Sequence, residues 1–82
     1  MDITFTKNET AILQAITDRI KEGQDYVVVT EILLDTGLSA GGIRSILKEL
    51  QARGFVEVEI VQEVKDFGGA PHKHPVWHVI LR

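Results

Sequence analysis

Three features of this 82-residue chain predict an α+β fold. Two segments, Ile12 to Ile20 and Ile43 to Leu50, carry apolar residues at helical spacing. After Gly54 the apolar period changes from 3.6 to 2. A stretch bearing glycine and proline then separates two β-rich segments near the C-terminus. The expected order is three helices, with a short strand between the first two, followed by a C-terminal two-stranded β-hairpin.

The first helix is expected over about 7–22. Thr6-Lys-Asn-Glu9 is a capping-box pattern, a hydroxyl followed three residues later by a carboxylate. Ile12, Ile16 and Ile20 repeat at i, i+4, and Gly23 suits the C-terminal end. Tyr26-Val-Val-Val29 is β-branched and short, so it reads as a strand. Thr30 is the expected cap of a brief second helix through Asp35, which Gly37 ends. Ser39 opens the third helix, and Ile43, Ile46, Leu47 and Leu50 form one buried face. Val56, Val58, Ile60 and Val64 then alternate with glutamates as a half-buried strand. Two glycines and two prolines make 65–75 an expected eleven-residue loop, and 76–81 the returning strand.

Composition narrows the function classes. The 44% apolar and 26% charged residues are ordinary for a globular protein, and 82 residues suit one domain over 1–82. No apolar run approaches the ~20 residues of a membrane span, and the N-terminus lacks a signal-peptide pattern. With no cysteine there is no disulfide framework, and the cytoplasm is the expected location. Gly41-Gly42 lacks the lysine of a phosphate-binding loop and nothing at motif spacing suggests a nucleophile, so no enzyme, catalytic residue or cofactor is expected. His72, His74 and His78 alternate on an extended segment, but no cysteine or nearby paired carboxylate completes a metal site.

The order of elements resembles the winged helix-turn-helix family over nearly the whole chain. The segments carrying the resemblance are Val29-Thr-Glu-Ile-Leu-Leu-Asp-Thr-Gly-Leu-Ser39 and Ile43-Arg-Ser-Ile-Leu-Lys-Glu-Leu-Gln-Ala-Arg-Gly-Phe-Val56. They look like the second helix with its tight turn, and the recognition helix. The resemblance implies a small transcriptional regulator bound to double-stranded DNA through helix 39–53 and the 65–75 wing. Pro75-Val-Trp-His-Val-Ile80 also resembles the wing strand of Z-form nucleic-acid-binding (Zα) winged helices. Those domains use an asparagine and a tyrosine on the recognition helix, where this chain has Arg44 and Lys48.

The surface chemistry leads to the same expectation. Net charge is −3 and the pI about 5.5, which is not the profile of an obvious polyanion binder. The charge is uneven, however. Arg44, Lys48 and Arg53 stand against Glu49 in 36–56, and Lys65, Lys73 and Arg82 against Asp66 in 64–82. The acidic excess lies elsewhere, so a basic face can orient on DNA despite the net charge. Ser39, Gly41, Arg44, Ser45 and Lys48 are the expected contacts on the helix, and Lys65, His72, Lys73 and His74 those on the wing.

Gly41 and Gly42 each cost a helix about 1 kcal/mol relative to alanine. Either one of them lies beneath the second helix, or the bare turn lets backbone approach a phosphate. Trp77 is expected to close the sheet over the third helix, and Phe67 to fold back on the core. The runner-up function is a protein-docking winged helix that does not bind DNA, favoured by the acidic strand residues Glu57, Glu59 and Glu63. A homodimer through the first helix or the N-terminal strand is a further alternative.

Overall fold

The computed structural model describes residues 4–82, except for the side chains of residues 65–67 and 70. Helix α1 spans Lys7–Lys21. Both halves of the predicted capping box form. Glu9 N–H donates to Thr6 Oγ1 at 3.1 Å, and Thr6 N–H donates to Glu9 Oε1 at 2.8 Å. The second oxygen of Glu9 accepts from Arg53 at 3.0 Å, which ties the start of α1 to the end of the third helix.

Helix α2 spans Val29–Thr36, so Val29 is helical and the expected strand 26–29 contracts to one bridge. Val27 exchanges both backbone hydrogen bonds with Val79, each 2.8 Å long. Having spent both polar groups there, the chain turns at once into α2. Thr30 is not the cap. Val28 holds that place, and its N–H donates to the Glu31 carboxylate at 3.1 Å. The β-branched run misleads because Val27 and Val29 are both buried, one beside the sheet and the other in a helix. Gly37, at φ +72, ends α2 in the left-handed conformation and donates to Leu33 O.

Helix α3 spans Ala40–Ala52, with Ser39 as N-cap. Its Ile43, Leu47 and Leu50 are fully buried against Ile12 and Ile16 of α1, Ile32 of α2, and Val56 and Val79 of the sheet. Burying each such side chain stabilises the fold by roughly 1.5–3 kcal/mol.

The hairpin departs most from expectation. Strand β1 spans Val56–Phe67 and β2 Ala70–Leu81, so there is no eleven-residue loop. Gly68 and Gly69 alone make the turn, both at positive φ (+60 and +84), as a tight type I′ hairpin connection needs. Both prolines fit the ladder because of register. Counting from the closing pair Phe67↔Ala70, Pro71 and Pro75 fall at non-hydrogen-bonded positions, where a strand N–H points outward. The sheet has two strands, and the Val27 bridge uses the outward groups of Val79. The fold is therefore an α+β winged helix-turn-helix. Its wing is a long antiparallel arm, and the molecule measures 54 × 25 × 22 Å.

Candidate nucleic-acid interface

Burial of Ile43, Leu47 and Leu50 fixes the rotation of α3, and the opposite face emerges in solvent. Ser39, Gly41, Arg44, Ser45 and Lys48 are all exposed there. Ser39 Oγ accepts the Gly42 N–H at 3.1 Å, so its hydroxyl is occupied in starting the helix.

Neither glycine lies beneath α2. A Cβ at Gly41 would meet nothing within 4 Å, and one at Gly42 would meet only Ser39 Oγ, at 3.0 Å. The packing explanation fails because Gly41 and Gly42 are exposed, while Ala40 and Ile43 on either side of them take the core-facing places of that turn. What remains is an uncovered strip of helical backbone beside Arg44.

The predicted basic cluster is only partly assembled. Arg53 is withdrawn from it. Its guanidinium pairs with Glu9 and lies 5.3 and 5.2 Å from the Phe5 and Phe55 ring centroids, which meet edge to face. Arg53 is a strut between α1, α3 and the base of β1. Arg44 and Lys48 stay on the open face, with Lys48 Nζ 6.0 Å from the Trp77 centroid. Trp77 is half-buried and packs against the core from the sheet face that looks toward α3, as expected for a residue closing the sheet.

On the wing, a cleft of about 380 Å³ joins Arg44 to His74 where β2 passes the start of α2. Val28, Val29 and Thr30 form one wall, and Glu63, Pro75, Val76 and Trp77 line the rest. His74 Nε2 lies 3.8 Å from Glu63 Oε2, so a carboxylate accompanies the imidazole. Sequence reasoning missed Thr30 as a lining residue, since only tertiary folding brings α2 to β2. Lys73 and His72 are exposed further out, opposite Val64 and Lys65. The side chains of Lys65 and Phe67 lie outside the described residues. The structure thus brings Arg44, Lys48 and His74 near the junction of α3 and the wing, and leaves His72 and Lys73 along the arm.

No protein-family profile and no curated protein matches this sequence. Among solved structures, BpsR of Bordetella bronchiseptica, a DNA-binding protein whose binding is regulated by 6-hydroxynicotinic acid, is similar. The likeness covers 99% of this chain at a TM-score of 0.67 and 20% identity. It spans 47% of the BpsR chain, and it is a likeness of fold.

Proposed function

We propose that this chain binds double-stranded DNA and serves in transcriptional control, with α3 in the major groove and the hairpin arm alongside. The observation that carries this reading is the exposed strip of Gly41, Arg44, Ser45 and Lys48, held rigidly by the buried stripe of the same helix. The BpsR likeness supports it, since that protein binds DNA on a similar fold. Lys65, His72, Lys73 and His74 supply the wing's share of backbone contact. With few side chains in the first turn of α3, base readout falls mainly to Arg44.

The Z-form alternative would require Trp77 as an open contact group. Its half-buried position beside Lys48 favours a packing role instead. The docking alternative in which DNA is not bound at all is decided by the same experiment. In a salt titration with random-sequence duplex, affinity should fall steeply as salt rises, because phosphate neutralisation releases counterions. Absence of binding at low salt would overturn the proposal. Preference for a Z-form duplex over a B-form one would transfer it to the Zα type.

A further inference from the structure

At its base, nearest the helices, the sheet has a second face that the DNA reading leaves unused. Trp77 and Val79 point toward α3 and the core, so His78 and Ile80 point the other way, together with Glu57 and Glu59 of β1. Tyr26 lies flat on His78, ring centroids 3.7 Å apart and planes within 9°. The stack covers His78 Nε2, which has no hydrogen-bond partner among the described residues.

Tyr26 itself remains 42% exposed and Ile80 37%. They stand in a cleft of about 440 Å³ walled by Asp25, Glu57, Val58 and Glu59. A second cleft, of about 450 Å³, continues past Tyr26 toward Glu31. Glu31 and Glu63 are paired with Arg19 and His74, whereas Asp25, Glu57 and Glu59 have no ion pair among the described residues.

We infer that this groove is a docking surface for an arginine-rich segment of another protein. An exposed aromatic ring ringed by unpaired carboxylates is complementary to guanidinium groups, which stack on such rings while pairing with carboxylates. Glu57 and Glu59 are two strand residues apart, about 7 Å, the repeat of alternate side chains in an extended segment. The groove lies on the opposite side of the sheet from Trp77 and Lys48, so its occupancy is compatible with nucleic acid on α3 and does not depend on it.

The test uses a fluorescent octapeptide of alternating arginine and leucine, with the glutamate–leucine octapeptide as control. The intact chain should bind the arginine peptide in a salt-dependent manner. Binding should weaken at least tenfold in the triple variant Asp25→Asn, Glu57→Gln, Glu59→Gln and in Tyr26→Ser. It should be unchanged in Arg44→Ala. An equal charge change elsewhere, Asp18→Asn with Glu22→Gln and Glu49→Gln, should reduce it less than threefold. Amide shifts on titration should centre on 25–26, 57–59 and 78–80. No binding, equal loss in the two triple variants, or shifts centred on another face would overturn the inference. So would a concentration-dependent dimer that the groove variant abolishes, since the occupant would then be a second copy of this chain.

Discussion

Gly37 and Gly41 both leave open space where a Cβ would stand, yet alanine should act oppositely at the two. Gly37 sits at φ +72 in the left-handed region, so Gly37→Ala should cost about 1–2 kcal/mol through backbone strain alone. Gly41 has ordinary helical geometry, so Gly41→Ala should stabilise by about 0.4–1 kcal/mol by restricting the unfolded chain. Gly42→Ala should gain less than Gly41→Ala, because its methyl would press the Ser39 hydroxyl that caps the helix. Urea melts of the three variants check the order, and a stability loss in Gly41→Ala would show that its turn is covered after all. On the DNA side, Arg44→Ala should cost about 1–3 kcal/mol of binding and relax base preference. Lys48→Ala should weaken all sequences alike and reduce the salt slope by about one. Electrophoretic titrations with two unrelated duplexes distinguish the two patterns. If both variants bind like the parent, α3 does not face the DNA.

Among the elements, α1 and α3 were legible in the sequence because each carries its own start signal and an uninterrupted apolar stripe. Thr6 with Glu9 and Ser39 with Gly42 are local hydrogen bonds, and local signals survive folding. The start of α2 was not legible. It depends on Val27 pairing with Val79, which lies 52 residues away. The wing was misread for a different reason. Its glycine and proline content suggested a loop, but proline disrupts a ladder only where an N–H is needed, and register places Pro71 and Pro75 elsewhere. The candidate site was legible on α3 and obscure beyond it, because nothing local says that Arg53 turns inward to Glu9 or that Thr30 approaches Arg44. Glu31 allows a test of the α2 start. Glu31→Ala removes the acceptor for Val28 N–H and should cost about 0.5–2 kcal/mol. Glu31→Gln keeps an acceptor oxygen there and should retain most of that share. Equal thermal melts for Ala and Gln would place the effect in the charge.

At the scale of the whole molecule, α1 and α2 are joined on the surface by Arg19, whose guanidinium forks onto Asp35 at 2.7 and 2.9 Å and also reaches Glu31. Its hydrogen bonds hold the Asp35 carboxyl below the ordinary carboxylate range. A depressed folded value means that the contribution is present above the unfolded carboxylate range and lost as pH falls through the folded one. Stability should therefore decline on acidification, and Asp35→Asn should flatten that decline by lowering the high-pH side while leaving the acid side unchanged. Melting temperatures of both proteins between pH 2 and 7 check the sign. The pair is surface-exposed, so salt should shrink the difference.

The long arm also has a kinetic consequence. Ile60 and Val64 lie on the sheet face that the core covers nearer the base, yet they are 57% and 58% exposed, so the body ends beneath Trp77 while the ladder continues. Beyond that point each rung is held only by its cross-strand partner, and an unsupported hairpin is marginal in water. Amide exchange should consequently be graded along a single sheet. The amides of Glu57 and Ile80 should exchange only when the whole domain opens, whereas those of Glu63 and His74 should exchange through openings that leave the helices intact. Denaturant should accelerate the first pair steeply and the second hardly at all. A chain with one hydrophobic core would then hold two separable clocks, and whatever grips the arm would slow only the faster one.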